Sequence, residues 1–229
     1  MTQYKVVQHN ADKFRLGEDY FDQHIVNCDI ALLQRVPDYK IPYLKQQFPK
    51  VYYTNHSYQR SNNKTLNLVI AGPQELGEWT YTQTLPSYDK VMNSNDENQG
   101  CKALYVKLND VVLCSVLTCY PNKTITPQDA EQDVQAVFEQ CQTEQYQCLL
   151  AGDLHCEGSS AYKTMSHQYG FVKNYIENEV TFKSKQNNFI NLDWCLSNSE
   201  SISVNNTQVH IINTSTHGHF AITYTLGRG

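Results

Sequence analysis

The sequence predicts an α+β layered sandwich, on three observations. Short runs rich in β-formers recur along the 229 residues. Some come in pairs split by turn residues, as 102–108 and 111–117 are by Asn109-Asp110, which reads as an antiparallel hairpin. Segments with helical spacing interrupt the runs, which argues for helices layered on sheets. No repeat and no linker divides the chain, so residues 1–229 are expected to form a single domain.

In chain order, the predicted strands are 4–8 (YKVVQ), 29–34 (DIALLQ), 51–54 (VYYT), 66–71 (LNLVIA), 102–108, 111–117, 147–152 (QCLLAG), 190–196 (INLDWCL), 209–213 (VHIIN) and 220–226 (FAITYTL). A first helix is expected over 16–27, where Tyr20, Phe21, Ile25 and Val26 share a side, and a short second one over 41–48. The clearest helix is 127–142. Thr126 caps it, Pro127 takes the first helical position, and Ala130, Val134, Val137, Phe138 and Cys141 follow at helical spacing. Residues 160–169 form a further candidate, with Ser159 or Ser160 as cap and Gly170 as stop. The polar stretch 93–100 reads as a surface loop.

Composition narrows the function classes. Hydrophobic residues make up 40% and charged residues 18%, a soluble globular balance. The N-terminal stretch lacks the apolar core of a signal peptide, and no run approaches the ~18 apolar residues of a membrane-spanning helix. The expected location is therefore cytoplasmic, with no membrane partner. Net charge is −5 and the pI is about 5.9. The densest basic stretch is Lys183-Ser184-Lys185, so nucleic acid is not expected as a partner. The 8 Cys form no C-x-x-C pair, and most are read as buried free thiols. Asn-x-Ser/Thr matches such as Asn63-Lys64-Thr65 are read as chance. The Tyr-rich stretches 52–53 and 79–82 are read as strand packing before base stacking.

The chemistry-bearing residues gather at strand ends. Asn10 closes the first strand, and Leu33-Gln34-Arg35 closes the second. Gly152-Asp153-Leu154-His155 ends the apolar run at 148–151. Asn191-Leu192-Asp193-Trp194 and His217-Gly218-His219-Phe220-Ala221-Ile222 follow near the C-terminus. In this order the motifs resemble the endonuclease/exonuclease/phosphatase superfamily, the proteins similar to deoxyribonuclease I, over nearly the whole chain. That resemblance implies a four-layered α/β sandwich of two mixed, mostly antiparallel sheets flanked by helices. It also implies Mg²⁺-dependent hydrolysis of phosphoesters, in which the ion neutralises developing charge and a His–Asp pair handles protons.

The resemblance places Asn10, Asp153, His155, Asp193 and His219 at catalytic positions, and several of those positions are altered. Arg35 stands where the family has a metal-binding Glu after Leu-Gln. His155 replaces an Asn. Gly218 replaces the Asp before the last His, which leaves His219 expected to lack an orienting partner. The Pro-anchored turn at Tyr120-Pro121 offers Cys119 in place of a His or Tyr. A guanidinium cannot be deprotonated and repels a divalent cation at a few ångströms. Arg35 is expected to pair with Asp153, Asp193 or another remaining carboxylate, filling the metal's volume, or else to bind a phosphate. A vestigial or rewired site is thus expected, with no cofactor. If a divalent metal does bind, its ligands would be Asp153, His155, Asp193 and His219. Zn²⁺ would suit such a nitrogen/oxygen set, although an incidental His cluster is the plainer reading. Cys119 and Cys156 would be reactive only if Arg35 lowered their pKa. Glu157 and Asp38 are further carboxylates that could reach the site. The function expected is a pseudoenzyme that binds another protein or a phosphorylated ligand. The alternative is an active metal-dependent phosphoesterase with a rewired site.

Overall fold

The computed structural model describes residues 2–59, 64–93, 101–143, 146–154, 160–171, 173–176, 179–212 and 216–228. Its strands in chain order are β1 (Gln3–Asn10), β2 (Ile30–Pro37), β3 (Lys50–Gln59), β4 (Lys64–Gly72), β5 (Leu76–Thr84), β6 (Lys102–Leu108), β7 (Val111–Leu117), β8 (Gln147–Asp153), β9 (Lys173–Asn174), β10 (Phe182–Lys183), β11 (Phe189–Ile190), β12 (Asp193–Ser197), β13 (Ile202–Val209), β14 (Gly218–His219) and β15 (Ile222–Arg228). The helices are α1 (Glu18–Ile25), α2 (Ile41–Gln47), α3 (Tyr88–Asn93), α4 (Pro127–Thr143) and α5 (Ser160–Gln168).

Two six-stranded sheets carry the domain, ordered β13-β15-β1-β2-β4-β3 and β5-β6-β7-β8-β12-β9. Each contains a parallel pair, β1 with β2 and β7 with β8, and the other pairings in these sheets are antiparallel. The chain crosses over between parallel partners through α1 in one case and α4 in the other, as parallel pairing requires. Alternation builds the layers. In β2, Ile30 and Leu32 face the second sheet, while Ala31 and Leu33 face α1 and α2. In β8, Leu149 and Ala151 face the first sheet, while Cys148 and Leu150 face α4. The result is helix, sheet, sheet, helix: the α+β four-layered sandwich expected from the motifs.

Local signals held where the chemistry is local. Thr126 and Asp129 form a reciprocal cap: the Asp129 N–H donates to Thr126 Oγ1 (3.2 Å), and the Thr126 N–H donates to Asp129 Oδ2 (3.0 Å). Gly170 ends α5 with φ +77°. Asn109 turns the β6–β7 hairpin with φ 54°. Three elements differ from expectation. The strand expected at 209–213 is β13, ending at Val209. The polar-looking 76–84 is β5, an edge strand whose alternation is masked by exposed Thr and Tyr. Tyr88–Asn93 adds the short helix α3. The loop at 93–100 lies largely outside the described residues.

The cysteine reading needs one correction. Cys28, Cys114, Cys141, Cys148 and Cys195 are free, but Cys101 and Cys119 form a disulfide. Hairpin register explains it: Lys102 pairs with Leu117, so the residues just beyond both strand ends meet, with Cα atoms 5.7 Å apart. Cys119 is therefore no thiol, and Cys156 lies outside the described residues. Among the described residues, no helix is long and apolar enough to cross a membrane.

Candidate functional site

The motif residues lie where strands end. β1 delivers Asn10, β8 delivers Asp153, β12 begins with Asp193, and β14 carries His219. Gly152 is required just before Asp153, because a Cβ there would lie 2.0 Å from the Val116 carbonyl oxygen of β7. Register then sets Asp153 directly opposite Asp193 across β8 and β12. Two carboxylates facing each other in a buried setting repel. His219 resolves this by lying against both. Its Nδ1–H donates to Asp193 Oδ2 at 2.8 Å, and its Nε2 lies 3.5 Å from Asp153 Oδ2.

Asn10 completes the group. Its Nδ2 donates to Asp153 Oδ2 at 3.2 Å and sits 3.3 Å from His219 Nε2. All four residues are buried. Burial opposes charge on His219, but Asp193, Asp153 and Asp12 together outweigh it and lift its pKa to about 9. The imidazolium is the resting form at neutral pH. His9 beneath it goes the other way. Burial pushes its pKa down to about 3, with the neighbouring His219 charge adding to the effect. Its Nε2–H donates to the His219 carbonyl oxygen at 3.1 Å, which assigns the neutral tautomer.

His219 is thus partnered, contrary to the expectation drawn from Gly218. The orienting carboxylate comes from Asp193, 26 residues earlier in the chain. Asp193 is in turn held by Thr181, whose Oγ1 accepts from the Asp193 and Leu192 N–H groups, both at 3.0 Å.

Arg35 pairs with a carboxylate, as expected, but that carboxylate is Asp12 and not Asp153 or Asp193. Its Nη1 donates to Asp12 Oδ1 at 2.9 Å. The physical reason is a β-bulge. Register jumps between Leu33 and Val36, Arg35 takes φ 56°, and the strand end is re-aimed. Gln34 meanwhile points into the sandwich and donates to Ser115 Oγ at 2.9 Å. Asp12 also accepts from Arg15 Nε at 2.8 Å, and Arg15 Nη1 contacts His217 Nε2. The Asp12 N–H donates to Asn10 Oδ1 at 3.1 Å, which joins this ion cluster to the His219 group. Asp12 and Arg15 were missed in the sequence, although an acid two residues past the strand-ending Asn10 was a readable signal. Asp38 accepts from Asn67 Nδ2 at 2.7 Å and takes no part in these contacts. His155 and Glu157 lie outside the described residues.

For metal binding, Asp153, Asp193 and His219 place ligand atoms within 4.8 Å of one another. Asp193 Oδ1 is buried with no hydrogen-bond partner among the described residues.

No family model matches the sequence, and no curated protein does either. Solved structures do match in shape. An endonuclease/exonuclease/phosphatase from Beutenbergia cavernae superposes with a TM-score of 0.72 at 10% identity, covering 100% of this chain and 72% of that one. This chain has the endonuclease/exonuclease/phosphatase fold. A structure of that description from Bacteroides vulgatus gives a TM-score of 0.69 at 11% identity, with 100% of both chains covered. The human Nocturnin catalytic domain, solved with a bound sulfate anion, gives 0.67 at 9% identity, covering 99% of this chain and 95% of that one. At these identities the likeness concerns fold, so the roles of individual residues rest on the geometry above.

Proposed function

We propose that this protein is a binding module on a phosphoesterase-type fold, without ordinary Mg²⁺-dependent turnover. The observation that carries this reading is Arg35, which sits after Leu33-Gln34 with its guanidinium paired to Asp12. Mg²⁺ usually keeps several waters and takes only one or two protein carboxylates, so Asp153 and Asp193 alone would not disqualify the cluster. What counts against it is the guanidinium held on the neighbouring Asp12, at the position where the resemblance implies a metal-binding Glu. A fixed positive charge there repels a divalent cation.

A second reading has its own support. The His219–Asp193 hydrogen bond is the orienting arrangement a general acid/base needs. Under that reading the protein is a phosphoesterase with a rewired site. The test is hydrolysis of DNA, RNA, inositol phosphates and an aryl phosphate with Mg²⁺, Mn²⁺ or Zn²⁺ against a chelator control. We expect no turnover above blank. Robust turnover that vanishes in Asp153→Ala would overturn the binding-module reading. Arg35→Glu is expected to recover weak Mg²⁺ binding, read by calorimetry, without restoring turnover.

The partner class proposed is another protein or a phosphorylated ligand, and the sulfate bound by the Nocturnin domain accords with the latter. The cytoplasm remains the proposed location on the strength of the free thiols, although the Cys101–Cys119 disulfide favours an oxidising compartment.

A further inference from the structure

The Cys101–Cys119 pair has a third neighbour. Asp133 of α4 places a carboxylate oxygen within 4.8 Å of both sulfurs, and all three residues are buried. Both cysteines belong to the core between the second sheet and α4. The group shares no residue with Asp153, Asp193 and His219. Hairpin register brings its two sulfurs together, and the helix layered on that sheet brings its oxygen.

Asp133 is short of partners for a buried acid. Its Oδ1 accepts the Ser87 N–H at 2.8 Å, and the Cys119 N–H also supports its charged form. Its Oδ2 is buried with no hydrogen-bond partner among the described residues. A buried carboxylate calls for a donor or a cation. Lys90 does not supply one, since it pairs with Asp129 one turn earlier in α4, at 2.6 Å. A disulfide does not supply one either, because it has no S–H to donate and no charge. A cation held between the sulfurs would. The other buried thiols lack this arrangement. Cys141 and Cys148 bring their sulfurs to 3.2 Å, yet no acid or histidine joins them in a three-ligand group among the described residues.

We propose that the reduced protein holds one Zn²⁺ ion between Cys101, Cys119 and Asp133, a structural site that ties the β6–β7 hairpin to α4. The inference stands apart from the binding-module reading. Two soft thiolates with one carboxylate suit Zn²⁺ over Mg²⁺ or Ca²⁺, and a water completes the tetrahedron. Bonds of about 2.3 Å to sulfur and about 2.1 Å to oxygen set ligand atoms roughly 3.5–3.8 Å apart, so short side-chain shifts suffice. A dithiol reductant gives two electrons and two protons, which convert the S–S bond into two thiols, and closes its own disulfide. Zn²⁺ then displaces both thiol protons to solvent, and Asp133 binds as the carboxylate. The disulfide and the zinc site are alternative states of one cysteine pair, set by the redox poise of the compartment.

The test compares the full chain in two forms, one with the disulfide intact and one refolded from urea in TCEP. Co²⁺ is the probe, because thiolate ligands give it a charge-transfer band that oxygen and nitrogen ligands do not. Zn²⁺ is then titrated in to displace it. We expect one equivalent of Co²⁺ bound with this band in the reduced form, and no band in the disulfide form. Zn²⁺ should displace the Co²⁺ and raise the Tm of the reduced protein. Cys101→Ser should remove the band, with Cys119→Ala as a second variant and circular dichroism to check folding. Asp133→Asn should weaken Zn²⁺ binding by more than the about 10–100-fold that loss of an outer-shell partner costs. Cys141→Ala, which removes a thiol outside the group, should keep both the band and the affinity. The proposal is overturned by a reduced wild type without the band, by a band that survives Cys101→Ser or Cys119→Ala, or by an affinity that Asp133→Asn leaves unchanged. Failure of the wild type to refold in TCEP with Zn²⁺ present overturns it equally.

Discussion

At Asp153 and Asp193 the counter-charge is an imidazolium, and at Asp12 it is a pair of guanidiniums. The two clusters adjoin through Asn10 and are built differently. The first is closed: His219 is 4% exposed, and both carboxylates are buried beside it. The second opens to solvent along Arg15. The difference shows how a fold that keeps buried acids can stabilise them from within. A buried carboxylate needs a cation, and a protein can supply that cation as a titratable group or as a permanent one. The titratable choice leaves the first cluster sensitive to pH. The permanent choice keeps both guanidiniums of the second charged at any ordinary pH.

Removing one carboxylate from each cluster tests the contrast most severely. Asp193→Ala strips His219 of its closest partner in a setting water does not reach, and should cost about 3–5 kcal/mol of stability. Asp12→Ala leaves Arg15 able to turn to solvent, and should cost less, about 1–3 kcal/mol. Urea denaturation reads both. A larger loss for Asp12→Ala would break the distinction between closed and open clusters.

Titration gives the next largest effect. The folded pKa of His219, about 9, lies above the ordinary 6.5. Its stabilisation is therefore complete below pH 6.5 and is lost as pH rises towards 9, by an amount on the order of 3 kcal/mol. His9 acts in the opposite sense. Its folded pKa of about 3 lies below 6.5, so its contribution is complete above pH 6.5 and is lost as pH falls towards 3. In His219→Gln the alkaline limb should flatten while the acid limb remains. An alkaline limb that survives this substitution would assign it to another group.

The smallest effect belongs to Gly218→Asp, which restores the family pattern before His219. Gly218 does not have a positive φ, and an added Cβ would meet Leu16 Cγ at 3.1 Å, a side chain that can yield. The cost should be about 1 kcal/mol, the low end of overpacking. His219 already has Asp193, so its pKa, followed by NMR, should move little. A rise of more than about one unit, which corresponds to roughly 1.4 kcal/mol, would show that position 218 was the missing partner after all.

What could be read from the sequence was whatever depends on neighbours along the chain. Runs of β-forming residues placed most strands, and Thr126 with Pro127 marked the start of α4. The order of Asn10, Asp153, Asp193 and His219 pointed to one site, since each ends or begins a strand. Tertiary structure decided the rest, because those interactions join residues far apart in sequence. Asp193 serves as the His219 partner only because β12, β10 and β14 bring them together, with Thr181 fixing the approach. The bulge that carries Arg35 to Asp12 arises from the pairing of β2 with β4, which no pattern within β2 reveals. The Cys101–Cys119 bond follows from hairpin register and not from cysteine spacing. Residue types thus determined which charges the site contains. Strand register decided which of them neutralise one another, because in a buried site a shift of one residue turns a side chain to the opposite face.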